Sequence, residues 1–204
     1  MNQVLKAREV FAAYLTGKQW IASAQTHELS PSGRYGLNVT EYEWREANRA
    51  STFSAVTISD TQNEQKLLEF KAEDQFRHGW VQRGENEYLL CAELRGAQTV
   101  IEFPTLKLET YFVSSDDFIW VEFHPASDSN KAVVLGCHWA CPYEFIAYDF
   151  SFPLSLPLPI LARTVDGEVG EIGEDFGAWL NNDSFSLKAK DGTVRIIQIS
   201  QRQA

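Results

Sequence analysis

The chain has 204 residues, 44% of them hydrophobic and 13% aromatic, and a net charge of −10. That length suits one well-cored domain, the composition excludes a disordered chain, and no run approaches the roughly 18 apolar residues that a membrane-spanning helix needs. Residues 1–60 are neutral, but residues 61–130 carry six basic against thirteen acidic side chains and residues 131–204 six against nine, a surface that repels a phosphate backbone and argues against direct nucleic-acid binding.

The N-terminus, "MNQVLKAREVFAAYLTGKQW", places Lys6, Arg8 and Glu9 where a signal peptide needs an apolar run. The expected location is therefore the cytoplasm, and three cysteines without framework spacing fit a reducing compartment. Residues 2–16 predict a helix: Val4, Ala7, Phe11, Tyr14 and Leu15 form one apolar stripe, and Gly17 can end it.

Beyond that the hydrophobic period becomes two. Strands are predicted at 53–59, 66–72, 87–94, 98–103, 106–113, 118–123 and 131–139, each rich in branched or aromatic residues. The connectors at 84–87, 95–98, 114–117 and 126–130 are short and polar, so neighbouring strands should be antiparallel, because a parallel crossover needs a dozen residues or more. The segment "SFPLSLPLPILA" (151–162) holds three prolines, which forbid a central strand and predict an extended edge segment or packed connector. Glu174 to Asn181 reads as a short helix burying Phe176, Trp179 and Leu180, with Glu174 and Asp175 at its positive end. Residues 184–200 then form a hairpin around Asp191-Gly192. The expected fold is α+β and mainly antiparallel β: an N-terminal helix, a β-rich body (sheet, sandwich or barrel), a short C-terminal helix and a β-hairpin. It is expected as a single domain over 1–204, with the body at about 18–150 and a C-terminal unit at about 160–204 packed on it.

The stretch "LGCHWACPYEF" (135–145) gathers Cys137, His138 and Cys141, with His124 upstream and Cys91 as a further thiol. Structural zinc takes four ligands, commonly in close pairs, whereas four residues along a strand span about 13 Å. His138 would also point away from Cys137. No metal or cofactor is expected, and the stretch reads as the end of a buried strand broken at Pro142. Cys137 lies among Val133, Val134 and Leu135, which favours an inert core thiol. No P-loop, dinucleotide fingerprint or serine-hydrolase elbow is present in the sequence, so no catalytic residue is assigned. His27, His78, His124 and His138 are scattered along the chain, and no spacing predicts that they converge.

Carboxylates cluster at Glu73-Asp74, at Asp116-Asp117, and in the set Asp166, Glu168, Glu171, Glu174 and Asp175. The last two groups are the candidate partner-binding residues, either a solvated rim or a patch that meets a basic partner. The segment "LPILARTVDGEVGEIGEDFGAWLNN" resembles the closing part of SMI1/KNR4-type (SUKH-like) immunity proteins. That resemblance implies a stoichiometric inhibitor whose acidic residues meet a basic toxin or effector surface. The segment "LTGKQWIASAQTHEL" (15–29), with Gly17 and Trp20 after a helix, is similar to the start of lipocalin-like barrels, and implies an eight-stranded barrel around a small apolar ligand. The expected function is thus a non-enzymatic cytoplasmic protein-binding protein, most readily an inhibitor or immunity factor involved in toxin neutralisation. The alternatives are a lipocalin-like binder of a small ligand and an enzyme with an unrecognised carboxylate/His site.

Overall fold

The structure, a computed structural model, describes residues 3–46, 49–112, 118–127, 130–138, 143–164 and 174–199. One helix, α1 (Gln3–Leu15), precedes fifteen strands among the described residues. Sheet 1 holds β1 (Ile21–Leu29), β2 (Tyr35–Glu46), β3 (Arg49–Asp60) and β4 (Lys66–Glu73). Sheet 2 holds β5 (His78–Arg83), β6 (Asn86–Cys91), β7 (Gln98–Phe103) and β8 (Lys107–Tyr111). Sheet 3 holds β9 (Phe118–Pro125), β10 (Lys131–His138), β11 (Tyr143–Asp149) and β12 (Ile160–Arg163). Sheet 4 holds β13 (Glu174–Asn181), β14 (Ser184–Ala189) and β15 (Val194–Gln198). Every sheet is a meander in chain order, and every pairing is antiparallel, as the short polar connectors require.

The sheets pack in the order 1-2-3-4, with one apolar cluster at each junction. Between sheets 1 and 2 lie Leu37, Val56 and Ile58 against Leu89, Cys91 and Ile101. Between sheets 2 and 3 lie Val81, Tyr88 and Leu90 against Trp120, Val134 and Tyr148. Between sheets 3 and 4 lie Val133, Phe145 and Ala147 against Phe185 and Leu187. Successive residues of β6 therefore face opposite neighbours, and so do those of β10. Sheets buried on both faces need apolar residues at consecutive positions, which is why "YLLC" and "AVVLGC" are unbroken apolar runs. Sheet 1 and sheet 4 bury one face each in these clusters, and no cluster among the described residues joins them to each other.

The helix α1 and the antiparallel pairing follow the sequence reading, which did not assign the strands β1, β2, β5 and β11. The proline segment also behaves as expected: Leu158 is buried beside Leu154 and Leu156, and the chain then forms edge strand β12 on β11. Two expectations are corrected. Residues 174–181 are strand β13, not a helix: they pair along β14, with register shifts between Phe176 and Ala178 and between Trp179 and Asn181. The first of these, an extra residue on β13, turns Phe176 and Trp179 to the same side, onto Phe185, and so imitates the three-residue spacing of a helix. Leu180, the third member of the presumed helical face, is 51% exposed. The barrel is the second correction, because the strands divide into four separate sheets whose facing sides are filled with side chains. Trp20, whose position prompted the lipocalin likeness, packs instead on Phe53, Trp44 and Tyr14.

Candidate functional site

A cleft of about 710 Å³ opens between α1 and the ends of sheets 1 and 2. Its roof is held from two points. Arg8 donates from Nε and Nη2 to the Glu93 carboxylate at 2.8 and 2.6 Å, a fork geometry that only arginine supplies. At the other end the chain turns at Gly17, whose φ of 76° falls in the left-handed region. Trp20 Nε1 then donates to the Leu15 carbonyl at 3.0 Å, and the Tyr14 hydroxyl donates to Ser51 Oγ at 2.5 Å. No residue of α1 is fully buried; Val4, Ala7, Phe11 and Leu15 are half-buried, while Val10, on the cleft, is 62% exposed. Ala7, Val10, Phe11 and Tyr14 are the apolar and aromatic positions of the helix that line the cleft.

The floor is polar. Asp74 follows β4 with φ 61°. Its carboxylate accepts from Arg95 Nε at 3.0 Å, and from Arg95 Nη2 as well. The Arg95 backbone N–H donates to Glu73 at 3.1 Å. Ser54 Oγ donates to the Asp74 carbonyl at 3.0 Å and accepts from the Phe76 N–H at 3.0 Å, so this turn is closed by a side chain. Phe11, Leu94 and Phe112 provide apolar walls, and Lys6 stands on the rim. Apolar walls above a floor of carboxylates and one guanidinium can hold a short amphipathic segment. Among the described residues lining the cleft there is no nucleophile paired to a base.

Replacing Arg8 with alanine should cost about 2 kcal/mol, because the nearly buried Glu93 carboxylate loses its partner; the figure is below that of a fully buried pair since Arg8 is 36% exposed. Amide exchange of residues 3–15 should rise in this variant, and unchanged protection would show that the ion pair does not hold the helix.

Of the seven carboxylates that the sequence grouped as partner-binding candidates, the structure describes two, Glu174 and Asp175. Asp116, Asp117, Asp166, Glu168 and Glu171 lie outside the described residues. Glu174 is taken up by Arg195, with contacts of 3.1 and 2.5 Å, and Asp175 pairs in register with Lys188; both stand on sheet 4, away from the cleft. Glu73-Asp74 is legible in the sequence as a carboxylate pair. Arg8 and Glu93 are 85 positions apart, and no local pattern joins them.

The four histidines do not converge. His27 Nδ1 lies 2.9 Å from Asn38 Oδ1, and His78 Nε2 lies 3.1 Å from Glu28 Oε2. His138 Nε2 lies 3.1 Å from Oε1 of the buried Glu144, which Arg163 also approaches at 3.5 Å. That trio is an oriented imidazole, the geometry of a general base, but a base alone defines no reaction. His124 stacks on Phe176 at 4.1 Å, nearly parallel. Cys91 is wholly buried, and burial pushes its thiol well above the ordinary range, so it is inert toward attack. Cys137 is buried too, and Cys141 lies outside the described residues. Among the described residues no three His, Cys, Asp or Glu side chains form a metal-binding set, and no helix is long and apolar enough to cross a membrane.

No protein-family model matches the chain. Together with a strand at 174–181, this overturns the SMI1/KNR4 resemblance, and no lipocalin family is found either. An uncharacterized protein of Acanthamoeba polyphaga mimivirus is 27% identical over 128 residues, which cover 61% of this chain and 50% of the relative. The chain thus spans about half the length of the curated relative it matches. Among solved structures, the β-propeller domain of Myceliophteria thermophila Cps50 (Swd1) is similar over 86% of this chain and 73% of its own, with 9% identity and a TM-score of 0.41. At that distance it adds nothing to what the strand topology already shows.

Proposed function

We propose that this protein is a binding module for another protein, not an enzyme, and that the cleft beneath α1 receives a short segment of the partner. The observation that supports this reading most is the cleft itself, with Val10 exposed above the carboxylates of Glu73 and Asp74. A soluble surface leaves such mixed apolar and charged concavities uncovered where something binds. The excess of acidic residues, thirteen against six over 61–130, favours a basic partner drawn in by long-range attraction. Within that reading the finer role is an inhibitor or immunity factor that covers the basic working surface of a toxin or effector. The acidic stretch 166–175, including Asp166, Glu168, Glu171, Glu174 and Asp175, together with Asp116 and Asp117, would add negative charge that attracts the same basic partner.

The test is affinity capture from a lysate of the source cells with wild-type protein and with Val10→Asp, a change at an exposed position that should leave the fold intact. The expected result is one partner recovered at fixed stoichiometry by wild type and at least about tenfold less by the variant, with an association rate that falls as salt rises. Equal recovery by both proteins would remove the cleft from the proposal, and salt-independent association would remove the electrostatic part.

A further inference from the structure

Among the described residues, the junction between sheets 3 and 4 is the smallest: six buried residues form its cluster, against twelve and eleven at the other two. A single residue of β9, His124, contributes to it twice. Its ring lies on Phe176 at 4.1 Å with an interplanar angle of 7°, and its carbonyl accepts from Trp179 Nε1 at 3.0 Å. Phe145 and Phe185 complete the aromatic surroundings. The ring Nε2 is buried without a hydrogen-bond partner among the described residues. The nearest carboxylate, Glu122, is 3.5 Å away and is itself 56% exposed.

We propose that sheet 4 is an acid-released layer: protonation of His124 lifts β13–β15 from sheet 3 while sheets 1 to 3 stay packed. A neutral imidazole suits a face-to-face contact with Phe176, whereas an imidazolium is hydrated here only in part: the side chain is 23% exposed but its Nε2 is buried. Burial lowers the pKa of His124 below the ordinary imidazole value of 6.5, and the charge of Glu122 opposes that only in part. Among the described residues, the other charged groups at this junction are Glu174, paired with Arg195 on sheet 4, Lys131, paired with Asp183 across it, and Asp149, which lines the same groove as that pair and accepts from the Ser151 N–H. Neither pair includes the imidazole.

The sign follows from linkage. Above pH 6.5 both docked and released forms are neutral at His124, and docking is at full strength. As the pH falls from 6.5 through the lower value of the docked state, only the released form takes up the proton, so docking weakens by up to about tenfold per pH unit and then levels off. Release uncovers Val133, Phe145 and Ala147, which otherwise face sheet 4, and so creates an apolar surface that exists only in acid.

Amide exchange of residues 174–199, corrected for intrinsic rates and compared at pH 7.5 and 5.5, tests this. Opening of β13–β15 should rise at least about threefold at the lower pH, with sheets 1 to 3 unchanged. His124→Gln should abolish the pH step, and His78→Gln should keep it. Should His124→Gln leave sheet 4 undocked at both pH values, Glu122→Gln decides: it retains the imidazole but removes the opposing carboxylate, and should enlarge the step. Equal protection of wild type at both pH values, a step that survives in His124→Gln, no enlargement in Glu122→Gln, or equal loss across all four sheets would each overturn the proposal.

Discussion

Replacing Gly136 with alanine is expected to destabilise the fold by about 3 kcal/mol and to lower the thermal midpoint by about 10 °C for a chain of this size. A Cβ at this position would sit 2.4 Å from Phe118 Cζ and 2.5 Å from the backbone oxygen of Ile119. The ring cannot simply turn away, because Phe118 is buried in the cluster between sheets 2 and 3. The carbonyl belongs to β9, which pairs with β10 through a register shift at Leu135/Gly136. Either the ladder or the core must move. Gly192→Ala is the control: nothing lies within 4 Å there and only its φ of 86° is unfavourable, so the cost should be about 1 kcal/mol. Thermal or urea unfolding of both variants measures the difference, and equal midpoints would show that the close approach at Gly136 relaxes freely.

Glu87→Ala should cost a similar amount, about 3 kcal/mol, for a different reason. Glu87 is 3% exposed on β6, yet its carboxylate reaches the β1–β2 turn of the neighbouring sheet. It accepts from the Ser32 N–H at 2.7 Å, from Ser32 Oγ at 2.7 Å and from Ser30 Oγ at 3.0 Å. Hydrogen bonds to a charged acceptor contribute about 1.5–3 kcal/mol each, offset by the cost of burying the charge. Removing the acceptor takes the partner from three donors: Ser30 Oγ, which is buried, and the N–H and Oγ of Ser32 at the exposed turn. Glu87→Gln keeps the shape and two acceptor positions on one oxygen, so it should lose about half as much. A shift below about 0.5 kcal/mol for Glu87→Ala in urea unfolding would mean that water takes over these donors without penalty.

The same two residues show how much could be read without coordinates. In "KAVVLGCHW" Gly136 is visibly part of an apolar strand, but the sequence offers no reason for a glycine there. The reason is a phenylalanine on β9, a strand that neighbours it only after pairing. Glu87 reads as one more acid in the acidic region 61–130, and is instead a buried stitch between sheets. The candidate site divides in the same way. The apolar stripe of α1, its stop at Gly17 and the Glu73-Asp74 pair are local features and legible as such. The cleft also requires Arg8 to find Glu93, and Arg95 to find Asp74 beyond a hairpin, which depends on how sheets 1 and 2 stack. The metal reading of Cys137, His138 and Cys141 could be weighed from strand geometry alone, but the partner of His138, Glu144, comes from the next strand.

Alternation of apolar and polar residues, short polar connectors and one amphipathic stripe determine by themselves a helix followed by antiparallel meanders, because these patterns act within a few residues of each other. The same is true of "YLLC" and "AVVLGC", whose unbroken apolar character already demands a sheet covered on both faces. Tertiary structure alone decided that the strands form four stacked sheets and no barrel, since any doubly covered sheet satisfies that demand whichever sheets cover it. It also decided that residues 174–181 are a strand: an extra residue on β13 between Phe176 and Ala178 puts Phe176 and Trp179 on one side, and pairing to β14 overrides a spacing that, read along the chain, belongs to a helix.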